Sequence, residues 1–329
     1  HIYYHGTCYS PKNDPWPGWK FYASVDMSPT NSIWRDAQYF NEYIERCQKL
    51  LQSGEPDNEL LVYFPIHNLW MKNKKTLLMQ FAIHNLGKLA PEFKNMILEL
   101  DRMGYDCDYV SDKQLMGLRS VQDSDNKTIV LTEAGVKYKA ILIPKETVLT
   151  DEVKERINTL KAQGVTFIYG NDPNKLANVA TAEPIKTKLG LNMVRRKMGG
   201  GYCYFIANLT PKDVDAYCDL GVDYKRARWY DPMTDKYYAV ENPENKVRVT
   251  LRSGESMFLQ LDCFYANSEP LLMRPTSVTP GTEINLDKGW KLSFIEEAHP
   301  APAKALEAAL KEIVEAGILS EAPVRLRML

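Results

Sequence analysis

Between Asn31 and Pro56, apolar residues recur at Trp34, Ala37, Phe40, Ile44, Cys47 and Leu51, a three-and-four spacing that predicts one amphipathic helix. Asn31 or Ser32 can cap its start, and Gly54 followed by Pro56 stops it. From Leu60 the pattern changes to short apolar runs, LLVYFP, DCDYV, KAILIP and VTFIYG, each bounded by turn residues and each predicted to be a buried strand. Two helical stretches interleave with them. PEFKNMILELDRMG begins at Pro91 and places Phe93, Met96, Ile97 and Leu100 on one face, and TDEVKERINTLKAQG does the same with Val153, Ile157 and Leu160. Strands alternating with helices imply parallel strands joined by crossovers. The expected fold class is therefore α/β plus β, with a doubly wound, flavodoxin-like domain over residues 59–205. The long insertion HNLWMKNKKTLLMQFAIHNLGKLA after its first strand is expected to cover the carboxyl edge of the sheet.

From YCYFIANLT onward the texture becomes one of short strands separated by turn signals. RARWYDPMTDKYYAV reads as a hairpin around DPMTD, and in KVRVTLRSGESMFLQL the residues Val247, Val249 and Leu251 alternate with polar partners. Residues 206–296 are accordingly expected to form an antiparallel β-sandwich region. Residues 297–329 are expected to form a helical tail that packs Leu306, Leu310, Ile313 and Val314 against it. The opening stretch HIYYHGTCYSPKNDPWPGWKFY fits none of these patterns. Pro11, Pro15 and Pro17 forbid regular helix or strand and hold its rings on a loop.

Composition narrows the function classes. Hydrophobic residues make up 44% and charged residues 25%, values of an ordinary folded chain, and 329 residues suffice for more than one core. Lys plus Arg total 41 against 42 for Asp plus Glu, so no net field attracts nucleic acid or an anionic membrane. No apolar run reaches the roughly 20 residues of a membrane span, and the first residues have no charged segment followed by an apolar one, so this stretch is not expected to be a secretory leader. Cysteines at 8, 47, 107, 203, 218 and 263 are too scattered for a zinc pattern. Sequence does not decide whether any of them pair.

A doubly wound sheet invites particular loop chemistries. An amidotransferase would need a Gly-x-Cys-x-Gly elbow, yet Cys107 sits in YDCDY and Cys203 in YCYF. A dinucleotide fold would need Gly-x-Gly-x-x-Gly after the first strand, where FPIHNLW has no glycine. MGGGY at 198–202 reads as a bend before a strand. The strand ends are therefore expected to hold no ligand-competent cleft, and His67 and His84 to be core or solvated histidines. For the opening loop two readings stand: Tyr3, Tyr4, Trp16, Trp19 and Phe21 pack under the following helix, or they bind a sugar, whose C–H face stacks on an indole while its hydroxyls hydrogen-bond.

The run YHGTCYSPKNDPWPGWKFYAS, then NSIWRDAQYFNEYIERCQKLLQSGEPDNELLVYFP, and later LDRMGYDCDYVSD, GGGYCYFIANLT and GWKLSF, resemble in order the C-terminal portion of glycoside hydrolase family 106, the α-L-rhamnosidases. The resemblance implies that residues 1–58 are the last strand, aromatic loop and closing helix of a (β/α)8-like barrel. It further implies that 59–205 are a class I amidotransferase-like domain. His1, His5, Trp16 and Trp19 would then be substrate-binding residues at the carboxyl face of the barrel, where such folds place their sites.

An inverting glycosidase needs two carboxylates roughly 6.5–9.5 Å apart. The family takes that pair from earlier barrel strands, so no catalytic residue and no metal ligand is expected within this chain. Asp14 and Asp26 are the carboxylates of the aromatic loop, and nothing marks them as an acid/base pair. The resemblance implies no cofactor in this chain and calcium in the complete enzyme, a rhamnose-containing glycan and an upstream catalytic barrel as partners, and a periplasmic or secreted setting. The tail departs from the family, which continues into another β-sandwich. The alternative function is a non-catalytic accessory or structural module.

Overall fold

The computed structural model describes residues 32–72, 86–241, 246–262 and 271–275, together with residues 2, 4, 11, 13, 14 and 19. The tail helix expected after residue 296 lies outside the described residues. The chain divides into two units, one of residues 1–49 with 275–329 and the other of residues 50–274. In the first, a 3-10 turn (Ser32–Asp36) leads into helix α1 (Ala37–Leu51). Ala37, Ile44 and Cys47 are buried as the periodicity requires, whereas Trp34 and Phe40 are exposed. The tighter winding of 32–36 carries Trp34 out of the α-helical stripe.

The second unit opens with a short strand β1 (Glu55–Pro56), then β2 (Leu60–Tyr63) and three helices, α2 (Ile66–Lys72), α3 (Leu86–Leu89) and α4 (Pro91–Arg102). Strand β3 (Cys107–Val110) and helix α5 (Asp112–Gly117) follow. An antiparallel insertion, β4 (Arg119–Gln122), β5 (Thr128–Leu131) and β6 (Lys137–Tyr138), precedes β7 (Ala140–Ile143), α6 (Asp151–Ala162) and β8 (Phe167–Tyr169). Strands β2, β3, β7 and β8 pair in parallel in the order β3-β2-β7-β8.

The side-chain alternation of β2 and β7 sorts their residues onto two cores. Leu60, Val62, Ala140 and Leu142 meet Phe93, Met96 and Leu100 of α4. Leu61, Tyr63, Ile141 and Ile143 meet Val153, Ile157 and Leu160 of α6, with Leu115, Val130 and Tyr138. Thr150 caps α6 by accepting the Val153 N–H. Helices thus cover both faces of the central strands β2 and β7, which read as unbroken apolar runs, whereas the edge strands β3 and β8 are partly exposed.

Short helices α7 (Pro173–Ala177) and α8 (Pro184–Leu189) lead to strands β9 (Asn192–Met198), β10 (Gly201–Ala207), β11 (Val214–Cys218), β12 (Ala227–Asp231), β13 (Lys236–Ala239), β14 (Val247–Leu251) and β15 (Ser256–Leu261). They form a six-stranded antiparallel sheet, β1-β9-β10-β15-β12-β13, and a two-stranded sheet, β11-β14. Tyr204, Ile206, Met257, Leu259 and Leu261 from the first and Cys218, Val247, Val249 and Leu251 from the second share one core. The DPMTD hairpin is present, with the Asp231 carboxylate accepting from the Met233 N–H and the Thr234 hydroxyl. The glycines after Met198 turn β9 into β10, with Gly200 at φ 149°.

The structure moves the limit at residue 205. Strands β9 and β10 ladder with each other and with β15, so residues 192–207 belong to the antiparallel sheet, and the parallel sheet ends at β8. A seven-residue hairpin around a glycine turn satisfies more backbone groups than adding one more strand to the three-residue edge β8 would.

Gly104 ends the α4 turn at φ 88°, and a Cβ there would lie 2.7 Å from Thr187 Cγ2 and 3.1 Å from the Glu183 backbone nitrogen. Gly104→Ala is expected to cost about 1–3 kcal/mol through left-handed strain and this crowding. Thermal melting checks it, and an unchanged Tm refutes it.

Candidate functional site

Two groups of polar side chains stand out in the second unit. The first is buried beside α8. Arg195 of β9 donates from Nη1 to Glu183 Oε1 and from Nε to Asp57 Oδ2 at 2.5 Å. Tyr204 of β10 donates to the same Glu183 oxygen at 2.9 Å, and the Gly221 N–H reaches Glu183 Oε2 at 3.2 Å. Nearby, Lys186 donates to Asp101 at 2.6 Å and to Asp106 at 2.5 Å. Burial pulls Lys186 down, but Asp106 and Asp101 outweigh it and hold the amine above its ordinary range. These bonds tie the segment before β2, the α4–β3 junction and α8 to the antiparallel sheet. With each charge already paired and the surrounding space small, the group reads as structural.

The second group lies at the carboxyl edge of the parallel sheet. The chain leaves β2 for α4 on one face and leaves β7 for α6 on the other, while β2 and β7 are neighbours. The gap between their ends is the topological switch point, where open α/β sheets form a crevice. Tyr63, the last residue of β2, donates to Asp112 Oδ1 at 2.5 Å, and His67 Nε2 lies 2.6 Å from Asp112 Oδ2. Asp112 opens α5, which Ser111 starts with a capping box. Trp70, one turn beyond His67 on α2, stands edge-on to the imidazole at 5.1 Å and 87°, with its indole 57% exposed.

The opposite wall is held from α2 as well. Asn68 Nδ2 donates to Glu146 O at 2.8 Å, and Asn68 Oδ1 accepts the Val148 N–H at 2.7 Å. Glu146 itself sits in the left-handed region, at φ 58°. His67, Trp70, Met71, Val148, Leu149, Thr150 and Asp151 enclose an open recess of about 590 Å³.

At the strand ends, where no ligand-competent cleft was expected, the structure has an open recess. Glycine and cysteine signatures report phosphate cradles and nucleophile elbows, and this recess uses neither. Residue types alone could not expose it, because His67 and Asp112 are 45 residues apart. It emerges only once the strand order β3-β2-β7-β8 is known.

Of the residues expected to bind substrate, His1, His5 and Trp16 lie outside the described residues. Trp19 is 64% exposed. At the start of the chain, the Ile2 N–H donates to Gln48 Oε1 at 2.9 Å and the Tyr4 hydroxyl donates to Asn41, so both residues run beside α1. Asp14 closes a turn onto Pro11 O at 3.0 Å, and its Oδ2 is buried without a hydrogen-bond donor among the described residues.

Among the described residues, Cys47, Cys107 and Cys218 are free thiols. Burial, helped by Asp106 and Asp108, pushes Cys107 up to about 12, and burial raises Cys218 to about 11, so both stay protonated and poorly nucleophilic. No group of three or more His, Cys, Asp or Glu among the described residues is placed to hold a metal ion. No described helix is long and apolar enough to cross a membrane.

No protein-family model matches the chain. A segment of 167 residues, 50% of the chain, is 25% identical to 12% of a protein of Formosa agariphila named "Putative beta-glucuronidase". Among solved structures, the rhamnosidase from Novosphingobium sp. PP1Y matches 80% of this chain with 28% of its own, at a TM-score of 0.52 and 17% identity. A beta-galactosidase from Bacillus circulans sp. alkalophilus matches 71% of this chain with 46% of its own, at a TM-score of 0.42 and 10% identity. The chain thus spans about a quarter of the rhamnosidase and about an eighth of the Formosa agariphila protein. Its fold is that of a mixed α/β segment found in glycoside hydrolases.

Proposed function

We propose that this chain is the C-terminal part of an inverting α-L-rhamnosidase that removes terminal α-L-rhamnose from polysaccharides or glycans. The observation that carries the reading is the fold likeness over 80% of the chain to part of a rhamnosidase, together with the ordered motifs of the opening stretch. In this reading residues 1–58 close an upstream catalytic barrel, and that barrel supplies the acid/base carboxylates. His1, His5, Trp16 and Trp19 line the sugar pocket. The buried, unpaired Asp14 oxygen sits in the same loop and suits a sugar hydroxyl, a donor of the kind a buried acceptor requires. Calcium, where the complete enzyme uses it, is held by residues upstream, and the setting is the periplasm or the exterior.

The complete enzyme is expected to hydrolyse an aryl α-L-rhamnoside with inversion, read as the anomer first released in proton NMR. Retention, or no rhamnoside cleavage, refutes the reading. Trp16→Ala or Trp19→Ala in that enzyme is expected to cost about 1–3 kcal/mol in kcat/KM, a stacking-sized loss, with a smaller change in stability. Loss of folding with unchanged activity in the surviving protein would make the rings core instead. A second reading, a non-catalytic accessory module, draws on the same likeness, since the shared part is 28% of the rhamnosidase. Full activity in an enzyme cut before residue 59 would favour it.

A further inference from the structure

We propose that the recess at the carboxyl edge of the parallel sheet is a second saccharide-binding site, taking one neutral sugar unit of a glycan chain. It is distinct from the aromatic loop of residues 1–22, and the ligand class rests on the glycosidase reading above. The position comes first. Residues from the ends of β2 and β7 meet at the switch point of the sheet, where backbone geometry leaves a crevice whatever the sequence.

The lining then selects the ligand. Trp70 presents an indole 57% exposed, and the edge-on imidazole of His67 fixes its orientation. An exposed, oriented ring at a crevice offers a flat apolar platform next to polar groups, which matches the two faces of a pyranose. His67 is itself held: the Tyr63 hydroxyl fills one oxygen of Asp112, and the His67 Nε2–H donates to the other at 2.6 Å. The Nδ1 position is thereby left for an external hydroxyl. Asn68 braces the facing 146–148 backbone, so both walls are set before any ligand arrives.

Charge excludes the competing ligands. Among the described residues that line the recess there is no lysine or arginine, and Asp151 at its rim is paired to Lys154 at 2.9 Å. Asp151 and Glu152 occupy the first turn of α6 and offset the attraction of that helix start for an anion. A phosphate or nucleotide is poorly served there, whereas sugar hydroxyls can donate to a carboxylate and pair with the imidazole.

The test is calorimetric titration of the full 329-residue chain with a linear α-L-rhamno-oligosaccharide, beside inorganic phosphate. The expected result is saccharide binding that Trp70→Ala and His67→Gln each weaken about tenfold. Trp70→Phe should largely retain it, and a double Trp16→Ala, Trp19→Ala variant should keep a binding event. Melting curves verify that each variant folds, which the exposure of Trp70 favours. Full binding in Trp70→Ala overturns the inference and leaves the rhamnosidase reading standing. No saccharide binding by the wild-type chain also overturns it, whatever the complete enzyme hydrolyses. Phosphate binding at the recess in place of saccharide overturns the neutral-ligand assignment.

Discussion

Glu183→Ala is expected to lower the unfolding free energy of the described second unit by about 3–5 kcal/mol, the usual cost of breaking a buried ion pair from one side. Glu183 is 3% exposed and its two oxygens serve Arg195, Tyr204 and the Gly221 N–H. Removing the carboxylate leaves the Arg195 guanidinium, in a side chain 7% exposed, with Asp57 as its remaining carboxylate partner. It also removes the acceptor of the Tyr204 hydroxyl in a fully buried site, leaving Arg195 as its remaining partner. Equilibrium urea denaturation measures the loss. Against a typical domain stability of about 5–15 kcal/mol, the midpoint shift should be large. The double change Glu183→Leu, Arg195→Met should recover part of the loss, because the guanidinium is no longer buried without Glu183, while Asp57, 22% exposed, loses its cation but still reaches water. A single variant as stable as the parent would show that the network is dispensable.

That network marks where the sequence was legible and where it was not. The central parallel strands β2 and β7 announced themselves as short apolar runs, because helices on both faces leave no polar face to interrupt them. Helices α4 and α6 were visible in their three-and-four spacing, and α4 also in Pro91. Strand β9 was missed, since NMVRRKM carries charges at two of its central positions, and one of them, Arg195, faces inward only because Glu183 and Asp57 come to meet it. The insertion β4-β5-β6 was missed as well: RSVQ and KY are too short and too polar to signal strands before their register is known. The recess at the sheet edge was hidden for a related reason. Its His67–Asp112 pair depends on β2 and β3 lying side by side, a fact of topology and not of spacing. Conversely, the ring-rich opening stretch was conspicuous in sequence, and the described residues there are Trp19, Asp14 and a few neighbours.

Raising the pH above about 10 is expected to unfold the second unit steeply, because three fully paired phenols resist ionisation in the folded chain. Tyr63 and Tyr204 are 0% exposed and Tyr138 is 5% exposed. Burial raises each of them well above the ordinary phenol range. Hydrogen bonding adds to this at Tyr63 and Tyr138, which donate to Asp112 and Asp108, and the charge of Glu183 does so at Tyr204. The sign follows from proton binding: between the ordinary value near 10 and the raised one, the unfolded chain loses these protons and the folded chain keeps them. Stability is therefore whole below pH ~10 and declines as pH rises toward the folded values. Each phenol contributes a slope of up to about 1.4 kcal/mol per pH unit, so three together reach about 4. Lys186, raised by Asp106 and Asp101, steepens the loss in the same direction. The check is the urea midpoint between about pH 8 and pH 11, followed alongside the ultraviolet titration of the 19 tyrosines. Three phenols should ionise only as the chain unfolds, and Tyr138→Phe should flatten the slope by about one group's share while losing the bond to Asp108. A midpoint that stays level across that range, with all tyrosines titrating together, would mean that these hydroxyls reach water in the folded protein.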